Sequence, residues 1–171
     1  MRYSPCGKYL AIGSHDNNIY IYEGTSLHAT LKGHSSFIVA LDWSQDSDYI
    51  RSNCGAHELL FWNITDGKCG QDKNGKSNTV PTIWATKTVL FGWHVDGIFP
   101  SGTDGNHING VGGSADGSLI VTADNFGLVN IFRDPVRNGG KPRSYRGHSE
   151  HTVRAYFSPN DEYIFSVGGY D

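Results

Sequence analysis

The chain has 171 residues, of which 37% are hydrophobic and 18% charged, with a formal net charge of -3. This length suits one globular domain, and its interspersed charges and lack of long apolar runs predict neither nucleic acid nor a membrane as partner. Its three cysteines, Cys6, Cys54 and Cys69, are widely spaced without a CxxC pair, which argues against a disulfide framework and a zinc site and favours a reducing compartment.

One pattern recurs four times along the chain: a Ser-led polar turn, an apolar run, and a turn rich in Gly, Ala and Asp. The four copies are SPCGKYLAIGSHD from Ser4, SQDSDYIRSNCGA from Ser44, SADGSLIVTADNF from Ser114 and SPNDEYIFSVGGYD from Ser158, with starts 40, 70 and 44 residues apart. Two steps match the roughly 40 to 45 residues of a propeller blade, and the third matches a blade with about 30 inserted residues.

Each copy is predicted to form short strands, because β-branched or alternating runs are bounded by Gly, Asn, Asp and Ser. Examples are FIVALDW, LIVTA, LVNIF and YIFSV. We therefore predict an all-β fold of four-stranded antiparallel propeller blades in an incomplete ring of about three and a half blades. The predicted units span about 1–32, 33–70, 104–146 and 147–171, with an insertion at about 71–103.

A second signal precedes the Ser-led turns. Gly33-His34 and Gly147-His148 each lie ten residues before their turn, and Asn106-His107 lies seven residues before Ser114. Together with the turns SPCG, SADG and SPND, these dipeptides resemble those of WD-repeat β-propellers. The final dipeptide of that repeat is degenerate in this chain, as in Trp62-Asn63.

A narrower resemblance covers roughly residues 33 to 171. The stretches IWATKTVLFGWHVDGIFPSGTDGNHINGV, VTADNFGLVNIFRDPV and RGHSEHTVRAYFS are similar to the C-terminal propeller of the echinoderm microtubule-associated protein-like family. The resemblance implies a non-enzymatic module without a cofactor. It also implies association with tubulin or microtubules in the cytoplasm and cytoskeleton, including a ciliary or flagellar axoneme.

The family's blades are tied by hydrogen bonds among the Gly-His histidine, a strand Ser or Thr, a turn Asp and a strand Trp. The resemblance assigns these structural positions to His34, His107, His148, Asp16, Asp171 and Trp62. Ala56 and Phe126 fall near the turn-Asp position in the middle units. Some blades are therefore expected to be held by packing alone, at a cost of about 1 kcal/mol for each missing hydrogen bond.

The pattern begins and stops inside a blade, since Ser4 opens the first turn and Asp171 precedes a third strand of the last unit. A propeller removes its open sheet edges by closing the ring. We therefore expect a fragment of a longer polypeptide, or a chain whose ring is completed by other propeller segments or proteins.

The letters GQDKNGKS, Gly70 to Ser77, match a phosphate-binding loop. That loop needs a strand before it and a helix after it, but Pro81 and several β-branched residues follow, so we expect no helix. We predict a polar surface loop instead. Nucleotide binding through Lys76 and Ser77 is kept as an alternative.

Two further motifs resemble functional sites only in part. HSEH places His148 and His151 three residues apart, a spacing that does not converge on a metal outside a helix. GGSAD only partly matches the nucleophile elbow GxSxG and falls in a repeated turn. We predict no metal ligands and no catalytic residues.

A partner surface is predicted from charge and aromatic content. Basic residues cluster in the segment that links the third and fourth units, at Arg133, Arg137, Lys141, Arg143 and Arg146. Trp84 and Trp93 of the insertion are further candidates, since interfaces favour Trp, Tyr and Arg. The alternatives are a solvated linker for the basic residues and core packing for the aromatic ones. A WD scaffold of another multiprotein complex is the alternative function.

Overall fold

The structure is a computed structural model that describes residues 1–65, 69–99, 102–103 and 107–169. It contains two compact units, Met1–Val89 and Leu90–Asp171. Within the described residues the regular structure is almost entirely antiparallel sheet, so the prediction of an all-β partial propeller is confirmed. No helix in this part of the chain is long and apolar enough to cross a membrane.

The first unit contains two four-stranded sheets in which strands adjacent in sequence are adjacent in the sheet. The strands of the first sheet are β1 (Arg2–Tyr3), β2 (Tyr9–Gly13), β3 (Ile19–Glu23) and β4 (Ser26–Leu31). Those of the second are β5 (Ile38–Trp43), β6 (Tyr49–Cys54), β7 (Leu59–Asn63) and β8 (Gly70–Gln71). A one-turn helix, α1 (Gly75–Asn78), follows β8.

The second unit contains a four-stranded and a two-stranded sheet. After a 3-10 helix at Asp96–Ile98 come β9 (Ile108–Gly113), β10 (Leu119–Asp124), β11 (Leu128–Arg133), β12 (Arg143–Arg146), β13 (Thr152–Phe157) and β14 (Ile164–Gly168). The sheets follow the order of the four predicted units, although the exact division into those units stays a prediction.

The Ser-led turns have one geometry in all four sheets. The serine hydroxyl accepts a hydrogen bond from the backbone N–H five residues later, at 3.0, 2.8, 2.9 and 3.0 Å for Ser4, Ser44, Ser114 and Ser158. The fourth residue of each turn has a positive φ, at Gly7, Ser47, Gly117 and Asp161. The repeat therefore exists because this turn needs a side-chain acceptor at its first position and a left-handed backbone at its fourth.

The core of the first unit follows the strand alternation. In β3, Ile19 and Ile21 point inward and are fully buried, and they join Trp43 and Trp62 of the second sheet in one apolar cluster. Burying a side chain of this size stabilises the fold by about 1.5–3 kcal/mol. A smaller cluster of buried apolar residues lies around Val121 in the second unit.

A buried carboxylate attaches residues 86–89 of the insertion to the second sheet. Asp42 on β5 is fully buried and lies 3.0 Å from the guanidinium of Arg51 on β6. Its oxygens also accept hydrogen bonds from the hydroxyls of Thr86 and Thr88 and from the backbone N–H groups of Thr88 and Val89, at 2.6 to 3.1 Å. A buried charge is tolerable only when it is paired and hydrogen-bonded in this way.

Candidate interaction surface

A buried hydroxyl joins two of the predicted structural residues in the second sheet. The indole N–H of Trp62 donates to Ser52 Oγ at 2.8 Å, and Ser52 Oγ lies 2.7 Å from His34 Nε2. Trp62 can only donate, so Ser52 Oγ accepts from it and still has a hydroxyl hydrogen and a second lone pair for His34. We assign the His34 hydrogen to Nδ1 because that nitrogen faces the Glu58 carboxylate, and Nε2 then accepts from the Ser52 hydroxyl.

Glu58 supplies a carboxylate beside His34, although Ala56 falls near the position where the sequence pattern expects the turn Asp. Glu58 Oε2 lies 3.4 Å from His34 Nδ1, a contact longer than an ordinary hydrogen bond. The backbone N–H of Ser35 and the thiol of Cys54 donate to the same carboxylate and lower the pKa of Glu58 to about 2. Burial lowers the pKa of His34 despite this neighbour. Glu58 was missed because it lies two residues beyond the expected position, although an acid just before β7 was visible in the sequence.

The other predicted structural positions have different surroundings. His148 Nε2 lies 2.9 Å from Ser166 Oγ, which resembles the contact between His34 and Ser52. The ring of His107 stacks on Phe126 at 5.4 Å. Asp16 accepts a hydrogen bond from the Tyr20 hydroxyl, the main cause that lowers its pKa to about 2. Asp171 lies outside the described residues.

The phosphate-loop letters form a short turn with internal hydrogen bonds. The backbone N–H of Asn74 donates to Asp72 Oδ1, and that of Gly75 donates to Asp72 O, so these donors are used within the loop. Gly75 is buried against β7, where a Cβ would lie 2.2 Å from Phe61 Cβ. The loop therefore lacks the open cradle of backbone donors that a phosphate loop presents.

The expectation that no helix accompanies these letters is wrong in one respect. A helix of a single turn, Gly75–Asn78, includes Lys76 and Ser77, both of which are exposed. It forms because Asp72 also accepts from the side chain of Asn78 at 2.8 Å, and it ends where the Thr79 hydroxyl donates to Gly75 O at 2.7 Å. One turn is far shorter than the helix that follows a phosphate loop.

The predicted basic residues are exposed in the second unit. Arg133 ends β11, Arg137 and Lys141 lie in the following loop, and Arg143 and Arg146 lie on β12. Within the described chain, none of the five side chains forms an ion pair with an acid. The strand register places Arg143 opposite Ile131 and Arg146 opposite Leu128, so these two side chains point to opposite faces of the sheet.

One exposed tryptophan of the insertion lies next to this basic loop. Val136, which precedes Arg137, donates its N–H to His94 O at 2.8 Å and accepts from the Gly97 N–H at 2.9 Å. Trp93, the neighbour of His94, is 63% exposed. The structure thus brings together a tryptophan and a basic loop that are more than 40 residues apart in the sequence.

A glycine makes this approach possible. A Cβ on Gly97 would lie 1.9 Å from the backbone oxygen of Arg137, a distance that only glycine permits. Sequence reasoning missed this contact, since nothing in the pattern distinguishes Gly97 from the chain's other glycines.

Trp84 is half-buried and has a different environment from Trp93. It forms an antiparallel bridge with Ser44, the guanidinium of Arg51 lies 4.5 Å from its ring centroid, and its ring is 6.3 Å from that of Phe61. Packing of this kind uses the ring faces within the first unit. The core interpretation therefore fits Trp84, and the exposed interpretation fits Trp93.

The profile described as the echinoderm microtubule-associated protein second β-propeller matches residues 1–171, the whole chain. The chain belongs to this family. The family predicted from residues 33 to 171 is thereby confirmed, and the match extends to the first residue.

Several relatives align with the whole length of this chain. It is 61% identical to the ciliary WD repeat-containing protein ctxp80 of Euplotoides octocarinatus and 43% identical to human echinoderm microtubule-associated protein-like 3. It is 42% identical to the 77 kDa echinoderm microtubule-associated protein of Strongylocentrotus purpuratus. The chain spans only 24%, 20% and 26% of these three proteins, respectively.

The fold is also similar to a solved structure. The β-propeller domain of Cps50 (Swd1) from Myceliophteria thermophila superposes with a TM-score of 0.65 at 17% identity, over 96% of this chain and 62% of that one. At this identity the likeness bears on the fold alone, which is a β-propeller.

Proposed function

We propose that this segment of an echinoderm microtubule-associated protein is part of a non-catalytic interaction scaffold. We propose further that its second unit contributes a surface for tubulin or microtubules. The observation that carries the proposal is the exposed Trp93 beside a loop of exposed basic side chains. The names of the relatives, microtubule-associated and ciliary, support the choice of partner. They likewise support a location on the cytoskeleton or in a cilium.

The physical basis is charge complementarity with an aromatic anchor. Residues 133–146 contain five basic residues and one acidic residue, so this segment is positive within a chain of net negative charge. A basic patch steers association with an acidic surface such as that of tubulin, and an exposed Trp or Arg supplies much of the contact energy.

The scaffold also requires further strands. The two-stranded sheet leaves Tyr156, Phe165 and Val167 half-exposed, at 52%, 50% and 52%. A hairpin alone is marginally stable in water, and an open edge invites pairing. We propose that other propeller segments cover these side chains in the intact protein.

The test is co-sedimentation of the full-length protein with stabilised microtubules, comparing two triple variants. Arg137→Glu, Lys141→Glu and Arg143→Glu together reverse the proposed surface. Lys32→Glu, Lys73→Glu and Lys76→Glu make the same change of net charge at exposed positions of the first unit. This second variant is the matched control.

We expect the first variant to bind about 10-fold or more weakly, since each exposed ion pair contributes about 0.2–1 kcal/mol and reversal replaces attraction with repulsion. We expect the control to bind nearly as wild type. Equal losses in the two variants would show a general charge effect. Unchanged binding in both would remove this surface from the account.

A further inference from the structure

Three potential metal ligands from separate segments converge at one end of the second sheet. His34 lies in the loop before β5, Cys54 is the last residue of β6, and Glu58 directly precedes β7. Of the residues that the structure describes, these three form the group whose His, Cys and carboxylate ligand atoms all lie within 4.8 Å of one another. The positive φ of His57, +64°, turns the chain so that Glu58 returns beside Cys54.

The burial of these side chains is unusual for polar groups. The side chain of His34 is fully buried, and Cys54 is 1% exposed. His34 Nδ1 lacks a well-formed hydrogen bond although it points toward the carboxylate. A buried nitrogen in that condition normally has a partner, and this one faces the Glu58 carboxylate at 3.4 Å, with the Cys54 thiol within 4.8 Å.

The distances suit one small tetrahedral ion. His34 Nδ1 and Cys54 Sγ lie 3.4 and 3.3 Å, respectively, from Glu58 Oε2. Zinc bonds of about 2.0–2.1 Å to nitrogen, 2.0–2.2 Å to oxygen and 2.3 Å to sulfur at tetrahedral angles separate neighbouring ligand atoms by about 3.3–3.6 Å. Two of the three edges therefore already have nearly the required length.

The surroundings also provide support for a metal-bound histidine. A histidine that binds through Nδ1 carries its hydrogen on Nε2 and needs an acceptor there. Ser52 Oγ lies 2.7 Å from His34 Nε2 and has lone pairs for both this donor and the Trp62 indole. The Glu58 side chain is 37% exposed, which leaves a route for an ion and room for a fourth ligand.

We propose that His34, Cys54 and Glu58 form a zinc site, with water as the fourth ligand. Zn²⁺ fits this mixed set of sulfur, nitrogen and oxygen better than Mg²⁺ or Ca²⁺, which take oxygen ligands. On binding, the thiol loses a proton to solvent, while the neutral imidazole of His34 keeps one hydrogen, which is then carried on Nε2 instead of Nδ1. The ion ties the loop before β5 to the turn between β6 and β7. The cysteine spacing predicted no zinc site, because local spacing in sequence cannot show ligands from three segments.

The test is titration of the full-length, metal-free protein with Zn²⁺ against a chromophoric chelator, followed by Co²⁺ as a spectroscopic probe. The matched variants are Cys54→Ser, which alters the site, and the double variant Cys6→Ser with Cys69→Ser, which leaves it intact. We expect Cys54→Ser and Glu58→Gln each to weaken Zn²⁺ binding by at least the 10- to 100-fold typical for loss of a supporting residue. The control double variant should bind as wild type.

The Co²⁺ spectrum of the wild-type protein gives a readout that does not depend on the folding of a variant. We expect a thiolate-to-cobalt charge-transfer band that persists in the control double variant and is absent from Cys54→Ser. Zinc should also raise the melting temperature of the wild-type protein. Absence of saturable Zn²⁺ binding by the wild type, or a charge-transfer band that depends on Cys6 or Cys69, would overturn the proposal.

Discussion

Replacement of Asp42 by Asn is the sharpest test of how the insertion is attached. The substitution keeps the shape of the side chain but removes the charge that Arg51, itself 4% exposed, pairs with at 3.0 Å. It also places an amide N–H₂ group among donors, because the oxygens of Asp42 accept from Thr88 N and Val89 N. Breaking a buried pair by removing one partner costs about 3–5 kcal/mol.

Native-state hydrogen exchange of the full-length protein measures this loss of stability at the residues that contact Asp42. The amide protons of Thr88 and Val89 donate directly to the carboxylate, so their exchange reports the opening of the insertion. A loss of 3–5 kcal/mol corresponds to exchange faster by roughly 100- to 4,000-fold, since 1.4 kcal/mol is tenfold. Amides of β3, in the first sheet, serve as the internal control.

A second variant separates the charge from the rest of the network. Arg51→Met leaves Asp42 with its hydrogen bonds from Thr86, Thr88 and Val89 but without a cation for its buried charge, so we expect a loss in the same range of about 3–5 kcal/mol. Wild-type exchange at Thr88 and Val89 in Asp42→Asn, with the protein still folded, would refute the reasoning.

Three further predictions concern single contacts. Ser52→Ala should destabilise the fold by about 1–3 kcal/mol in urea unfolding, because it removes the buried partner of two ring nitrogens, and a change under about 0.5 kcal/mol would contradict this. Tyr20→Phe should raise the pKa of Asp16 from about 2 toward its ordinary 3.8 in an NMR titration. Since the folded-state pKa of Asp16 is lowered, the stabilisation from this contact is fully present above pH 3.8 and is lost as the pH falls through about 2. An unshifted pKa of Asp16 in the variant would exclude the Tyr20 hydroxyl as the cause. Gly97→Ala should weaken microtubule co-sedimentation without a change of charge, because the new Cβ displaces the Arg137 backbone; unaltered binding would separate the Trp93 segment from the basic loop.

The repeating part of the fold could be predicted from the sequence because its cause is local. Ser4, Ser44, Ser114 and Ser158 each accept from the backbone five residues on, so the turn and its residues lie together in the sequence. The strands between the turns follow from the same short-range pattern of apolar residues. The fold class was therefore accessible from the local pattern, whereas the family was accessible through the resemblance of longer stretches such as IWATKTVLFGWHVDGIFPSGTDGNHINGV.

The non-repeating part could not be predicted because its contacts are long-range. Asp42 and Thr88 are 46 residues apart, and the chain gives no local sign that a charged residue on β5 is buried. The phosphate-loop letters show that a local match does not establish a site. All eight residues match, but they form a turn that buries Gly75 against Phe61. The different environments of Trp84 and Trp93 likewise depend on a long-range contact, since the guanidinium of Arg51 lies over the ring of Trp84.

The most direct measurement of the central proposal is hydrogen exchange of the full-length protein with and without microtubules. The proposed surface predicts slower exchange on binding at residues 134–142 and at 91–94, two segments that the hydrogen bond between Val136 and His94 joins. The loops between strands of the first sheet should exchange as in the free protein. Protection confined to other segments, with residues 134–142 unchanged, would contradict the account.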